Sequence, residues 1–104
     1  MATENKLTIE KQMENEKVTL KLIGRLDTVT APDFEKEIEA CADTVKELVL
    51  DLKELEYTSS AGLRVFLKAQ KMFDKQGSMK LNNVNEDVME VFDITGFLDI
   101  LNIE

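Results

Sequence analysis

The chain has 104 residues, of which 43% are hydrophobic and 33% charged, and its formal net charge is -8 at pH 7. This length supports a single hydrophobic core, so we expect residues 1–104 to form one domain. The 21 Asp and Glu residues against 13 Lys and Arg residues repel a phosphate backbone and an anionic lipid surface. Nucleic acid and membranes are therefore not expected as partners.

The side chains that usually carry metal or nucleophilic chemistry are scarce. The chain has one cysteine and no histidine, so we expect no metal, no cofactor and no disulfide framework. Cys41 falls on the apolar stripe of a predicted helix, where a small buried hydrophobic residue is a more common role than a reactive thiol. Residues 1–6 lack the layout of a signal peptide, and no apolar run is long enough to span a membrane. These features predict a protein of the reducing cytoplasm.

The first elements in chain order are two strands and a helix. Apolar and polar residues alternate on both sides of a polar turn at residues 14–17, which predicts an opening hairpin with Leu7, Ile9 and Met13 followed by Val18, Leu20 and Leu22. A loop over residues 24–30 follows. Thr30 is placed to cap a helix that begins near residue 31, with Pro32 in its first turn and Phe34, Ile38 and Cys41 on its buried stripe.

The remaining elements alternate between strand and helix. Residues 47–52 are almost continuously apolar, as in a strand covered by a helix on each face, or by a helix on one face and a loop on the other. A helix of about four turns should follow Ser60 and end near residues 76–78. Residues 79–84 predict a parallel strand, and Asn85 begins a short helix that breaks at residues 94–97. A last apolar turn or short helix, packed on the domain, is predicted from Leu98, Ile100, Leu101 and Ile103.

This order, β-β-α-β-α-β-α with a last helical turn, predicts an α/β fold. Its sheet should be mixed and mostly parallel, with four to five strands and with helices packed on it.

The most informative segment runs from a buried strand through Thr58, Ser59 and Ser60 into an amphipathic helix. A helix N-terminus has unpaired N–H groups and a partial positive charge, so a serine there can cap the helix or hold a phosphate. Most serines at such positions only cap, with a contribution of about 1 kcal/mol. Gly62 costs about 1 kcal/mol of helix propensity and allows either a partner or the preceding loop to approach the helix closely.

Three segments resemble motifs of the STAS domain family of anti-sigma factor antagonists. Residues 24–27, Gly-Arg-Leu-Asp, resemble the family's Gly-x-Leu-Asp segment. Residues 50–52 followed by 57–63, Tyr-Thr-Ser-Ser-Ala-Gly-Leu, resemble its strand, loop and Ser-x-Gly-Leu helix start. Residues 92–97, Phe-Asp-Ile-Thr-Gly-Phe, are similar to its closing Phe-x-x-x-Gly-Leu/Phe. The resemblance extends over nearly the whole chain and implies a STAS-like single domain.

The resemblance also implies a function. The serine two residues before the helix-start glycine, here Ser60, would accept a phosphate from a partner that is both an anti-sigma factor and a serine kinase with an ATP-binding fold. The unphosphorylated domain would bind this partner and release a sigma factor, and a serine phosphatase would restore that form. Many family members place Asp before the serine, whereas this chain has Ser59, which becomes an alternative acceptor.

The implied partner-binding surface joins two segments. It comprises Asp27, Thr28, Thr58, Ser59, Ser60, Ala61, Gly62 and Arg64. Asp27 would supply a carboxylate near the serine, or alternatively cap its own backbone in a turn. Arg64, one turn along the helix, would contact the phosphate or the partner, or alternatively be a solvated charge.

Two other functions remain open at this point. In one, the domain is a non-switching interaction subunit of a transporter or stress-signalling assembly, and Ser60 is only a cap. In the other, Ser60 is an enzyme nucleophile, but the chain has no histidine to act as base and no Gly-x-Ser-x-Gly motif. We therefore predict that the protein is not an enzyme.

Overall fold

The computed structural model describes residues 7–41 and 43–104. The predictions for residues 1–6 lie outside this part. The elements are β1 Leu7–Glu14, β2 Lys17–Leu26, α1 Ala31–Cys41, β3 Glu47–Asp51, β4 Leu55–Thr58, α2 Ser60–Gln76, β5 Ser78–Asn82, α3 Glu86–Ile94 and a 3-10 helix, Phe97–Asp99.

The five strands form one mixed sheet in the order β1-β2-β3-β5, with β4 also paired to β2. β1 and β2 are an antiparallel hairpin, whereas β2–β3, β2–β4 and β3–β5 are parallel pairs. The first half of β2 pairs with β3 and its last residues pair with β4. The predicted α/β fold with a mostly parallel sheet is confirmed.

The predicted element order was wrong at one strand, because β4 was missing from it. The resemblance predicts a loop that includes Tyr57 and Thr58, but these residues pair with Arg25 and Leu26 of β2. β2 consequently continues to Leu26, and the loop predicted over residues 24–30 begins only after that residue. β4 has four residues, too few to establish a clear period of two.

All three helices pack on one face of the sheet. A single buried cluster joins residues from each helix to one face of the central strands. The strand residues in it include Val18, Leu20 and Leu22 of β2 and Leu48 and Leu50 of β3. Because side chains alternate across a strand, the helices cover only one face of residues 47–52, which excludes the first of the two predicted arrangements, a helix on each face. Val49 is nevertheless buried, outside this cluster and between its strand neighbours Thr19 and Lys80.

An aromatic cluster holds the helices together. Phe66 of α2 is fully buried and contacts Phe34 of α1 and Phe92 of α3 edge to face, with ring centroids 5.2 and 5.5 Å apart. The predicted stripe of α1 is confirmed, since Phe34, Ile38 and Cys41 are all buried. Burial raises the pKa of the Cys41 thiol, which favours the predicted packing role over reactivity.

The C-terminal part only partly follows its prediction. The Asn85 side chain caps α3 by accepting a hydrogen bond from Val88 N at 3.0 Å, as expected. Leu101 is buried and Ile103 pairs with Leu81 of β5. Leu98 and Ile100, which were predicted to pack on the domain, are instead exposed.

Candidate functional site

The ends of β2 and β4 bring the two predicted site segments together. The strands are parallel, with Leu26 opposite Thr58, so the chain leaves both at the same edge of the sheet. The backbone N–H of Ser59 donates to the carbonyl of Leu26 at 2.8 Å and extends the strand pairing by one bond. The loop that begins at Asp27 therefore lies beside the start of α2.

Ser59 is the N-cap of α2. Its backbone is extended, with φ -94° and ψ 178°, and its Oγ accepts a hydrogen bond from Gly62 N at 3.4 Å. Its carbonyl accepts the first helical bond, from Leu63 N at 3.0 Å. The capping role thus belongs to Ser59, and not to Ser60 as the non-switching alternative assumed.

Ser60 is the first residue of α2, and its side chain is exposed. Its hydroxyl makes no hydrogen bond with any residue in the described part of the chain, and within the same part the N–H groups of Ser60 and Ala61 have no partner. Since the helix dipole is positive at this end, the hydroxyl lies where a phosphate is electrostatically tolerated.

Gly62 allows the ends of the two strands to approach α2. It is buried, and a Cβ on it would lie 2.5 Å from Thr58 Oγ1 and 2.7 Å from Leu26 Cδ2. The sequence left open whether a partner or the preceding loop approaches this glycine. In the structure, the ends of β2 and β4 of the same domain approach it. Thr58 is buried as well, so Thr58 and Gly62 mainly position the helix start.

Asp27 organises the loop after β2. Its Oδ1 accepts hydrogen bonds from Thr30 N and Val29 N, both at 3.0 Å. The bond from Thr30 N, aided by that from Val29, lowers the pKa of Asp27, so the carboxylate is charged at neutral pH. Asp27 Oδ1 therefore caps the backbone of its own turn, as one of the two alternatives from the sequence proposed.

Thr30 immediately precedes α1, as predicted for its N-cap, but its side chain does not cap the helix. The Thr30 hydroxyl instead donates to the Arg25 carbonyl at 2.8 Å and accepts from Asp27 N at 2.9 Å. The Thr30 carbonyl takes part in the helix start by accepting from Asp33 N at 3.0 Å and from Phe34 N at 3.4 Å. This arrangement holds the loop against the end of β2 and leaves Thr28 and Val29 exposed at its tip.

Arg64 lies on the side of α2 that faces α1. Together with Thr28, Ala61 and Lys68 it lines a groove of about 280 Å³ between the beginnings of the two helices. Arg64 is exposed and has no ion pair with the residues that the structure describes. The structure therefore places three of the predicted surface residues, Thr28, Ala61 and Arg64, around one groove.

Three further residues flank this surface and were not selected from the sequence. The Arg25 guanidinium lies 4.3 Å from the centre of the Tyr57 ring, and 40% of Tyr57 is exposed. Val29 is 81% exposed at the tip of the Asp27 loop. Exposed aromatic and arginine side chains such as Tyr57 and Arg25 are enriched in interfaces. For Val29, the available sequence signal was a β-branched residue within a polar loop.

Two general features bear on the kind of site. Within residues 7–41 and 43–104, no three carboxylate or cysteine side chains are grouped so that they could hold a metal ion. In the same ranges, no helix has the length and apolar character needed to cross a membrane.

Comparison with known proteins identifies the family. The STAS domain profile matches residues 8–104. The anti-sigma-B factor antagonist of Bacillus subtilis is 38% identical over 94 residues, which span 89% of this chain and 85% of that protein. The chain therefore belongs to the STAS domain family, among its anti-sigma factor antagonists.

Solved structures of low sequence identity share the fold. An anti-sigma factor antagonist from Mycobacterium paratuberculosis superimposes with a TM-score of 0.87 at 22% identity, over 99% of this chain and 89% of that one. The Bacillus cell fate determinant SpoIIAA in its phosphorylated form superimposes with a TM-score of 0.75 at 19% identity, over 93% and 91% of the two chains.

Proposed function

We propose that this protein is an anti-sigma factor antagonist that is switched by phosphorylation of Ser60. The unphosphorylated form binds an anti-sigma factor that is also a serine kinase with an ATP-binding fold, and this binding releases a sigma factor. One observation carries the proposal: Ser59 caps α2, which leaves the Ser60 hydroxyl exposed at the positive end of the helix and without a hydrogen bond to any described residue. The phosphorylated form of SpoIIAA is a precedent in the same fold.

The two adjacent serines differ as phosphate acceptors. Ser59 is half-buried, and its Oγ is engaged with Gly62 N, so phosphorylation there would require the cap to open. At Ser60, the kinase would transfer the γ-phosphoryl group of ATP to Oγ. A new P–O bond to Oγ forms while the bond between the γ-phosphorus and the bridging oxygen breaks, which releases ADP. A base of the kinase takes the hydroxyl proton. Ser60 is therefore the acceptor we propose, and a serine phosphatase would hydrolyse the ester.

The proposed binding surface surrounds this hydroxyl. It combines Asp27, Thr28, Ser59, Ser60, Ala61 and Arg64 with the exposed side chains of Val29 and Tyr57, whereas the predicted Thr58 and Gly62 are buried and only position the helix start. A phosphate adds about -1.5 to -2 charges at pH 7. The helix dipole tolerates this charge within the domain, but an apposed acidic or apolar surface does not. About 1.4 kcal/mol changes affinity tenfold, so a modest repulsion suffices for the switch.

In this proposal the protein acts by binding and not by catalysis, and it acts in the cytoplasm, where sigma factors function. Release of the sigma factor follows when the antagonist occupies the anti-sigma factor. No change of fold is required, because the added charge lies at the contact itself.

The test compares matched baits in host lysate. The unmodified protein, Ser60→Asp and Ser78→Asp are immobilised, and the retained proteins are identified and tested for ATP-dependent phosphorylation of the bait. Ser78 is an exposed serine at the start of β5, so its variant adds the same charge far from α2's N-terminus. We expect an ATP-binding regulator on the unmodified and Ser78→Asp baits, its loss on Ser60→Asp, and phosphate on Ser60 by mass spectrometry.

Two results would contradict the proposal. Equal retention of the same partner by all three baits would make Ser60 a structural residue and favour the non-switching interaction subunit. Phosphate found on Ser59 would place the switch at the capping serine instead.

A further inference from the structure

One side of α2, which borders α1 at Arg64 and Lys68, carries a concentration of positive charge. The helix has four basic residues, Arg64, Lys68, Lys71 and Lys75, and one acidic residue, Asp74, in a chain whose net charge is -8. The spacing of three or four residues places the four cations on one side of the helix. We call this side the basic face, defined by Arg64, Leu67, Lys68, Lys71, Met72 and Lys75, which together with Gln76 line a shallow groove of about 490 Å³.

Most cations of the basic face are not neutralised by the domain itself. Lys68 is the exception, because its Nζ contacts Glu35 at 2.7 Å and Glu39 at 2.6 Å, both on α1. Within the described residues, Arg64, Lys71 and Lys75 have no ion pair. In a strongly acidic protein these charges would gain from an acidic surface supplied by another molecule.

The basic face also presents apolar surface. Leu67 is half-buried and lies outside the core cluster, and Met72 packs against that cluster but remains partly accessible. Leu67, Lys71 and Lys75 form one row along the helix, and Arg64, Lys68 and Met72 form the neighbouring row. A groove between two such rows is the shape that receives side chains of a second helix.

We propose that the basic face of α2 binds an acidic amphipathic helix of a protein partner. Apolar side chains of that helix would fill the groove over Leu67 and Met72, and its Asp and Glu residues would pair with Lys71 and Lys75 and with Arg64. A peptide helix fits better than nucleic acid, because Leu67 and Met72 contribute apolar surface to the groove and Glu35 and Glu39 lie beside Lys68. Lys71 and Lys75 lie outside the surface proposed around Ser60, and Arg64 belongs to both surfaces.

The test uses a synthetic helical peptide of about 18 residues, with Leu at every third or fourth position and Glu on both flanks. The peptide is titrated into the isotope-labelled full chain, and binding is followed by NMR. We expect saturable shifts centred on residues 64–76. The variant Lys71→Glu with Lys75→Glu should weaken binding at least about tenfold.

Matched controls separate this site from a general charge effect. Lys36→Glu with Lys53→Glu changes the net charge equally at exposed positions outside the groove, and this variant should bind the peptide like the unmodified chain. Lys71→Gln with Lys75→Gln provides a milder change, and circular dichroism checks that each variant is folded.

Four results would overturn the proposal. They are the absence of saturable shifts along α2, equal binding of a peptide with the same composition in scrambled order, equal weakening by the control pair, and tighter binding of duplex DNA than of the peptide. Self-association of the unmodified chain in sedimentation, abolished by Lys71→Glu with Lys75→Glu, would instead identify a second copy as the occupant.

Discussion

Replacing Ser59 and Ser60 separately by Ala tests the division of roles on which the proposed switch depends. Ser59→Ala removes the oxygen that accepts from Gly62 N, whereas Ser60→Ala removes a hydroxyl that bonds to no described residue. Ser59→Ala should therefore destabilise the domain, and Ser60→Ala should not.

The expected changes in the free energy of unfolding differ between the two variants. Loss of a serine N-cap costs about 0.5–2 kcal/mol, and the 3.4 Å bond here favours the lower part of this range, about 0.5–1 kcal/mol. Ser60→Ala should be neutral or stabilising by up to about 0.5 kcal/mol, because Ala has the higher helix propensity. The two variants should then differ by about 1 kcal/mol, or by about 4–8 °C in Tm for a domain of this size.

Urea and thermal unfolding followed by circular dichroism measure this difference, and the m-value shows whether the unfolding transition is unchanged. Ser59→Gly is the matched control, since Gly at an N-cap costs only a few tenths of a kcal/mol. Equal destabilisation by Ser60→Ala, or no effect of Ser59→Ala, would refute the assignment of the cap to Ser59.

Three further predictions concern the fold around the site. Gly62→Ala should lower stability by about 1–2 kcal/mol in urea titrations, because overpacking against Leu26 and Thr58 exceeds the gain in helix propensity. Adding Thr58→Ala to this variant should recover part of the loss. A rise in the Tm of Gly62→Ala would contradict the close contact. Asp27→Asn should be less stable than the unmodified chain at pH 7. Since the native pKa of Asp27 is lowered, this difference in stability should be lost as the pH falls from about 4 through that lowered pKa. A difference in stability that does not vary with pH would argue against a stabilising role of the Asp27 charge. Phe66→Ala should cost about 3–5 kcal/mol in calorimetry, because a fully buried ring shared by the helices is removed; a cost below about 1 kcal/mol would show that the cluster is not tightly packed.

Local patterns were sufficient for most elements of this protein. The alternation before and after residues 14–17 predicted the β1–β2 hairpin, and the stripe of Phe34, Ile38 and Cys41 predicted α1. These signals are strong because one face of a strand or helix must be buried, and the period of the apolar residues records which face it is. β4 was missed because four residues do not establish a period.

The site depended more strongly on contacts between distant residues. The sequence indicated that Ser59 and Ser60 precede a helix, but the extended backbone of Ser59 decided which serine caps it. A β-branched residue in a polar loop was the only local signal for Val29, and its 81% exposure became evident only in the folded domain.

The sequence alone determined that this chain forms an acidic α/β domain with a serine pair at a helix start, because composition and periodicity are properties of neighbouring residues. Only the tertiary structure decided that the Asp27 loop lies beside that helix start. This juxtaposition results from the parallel pairing of Leu26 with Thr58 and from the space that Gly62 leaves for both. Pairing between strands far apart in sequence depends on the packing of the whole core, and no local segment specifies it.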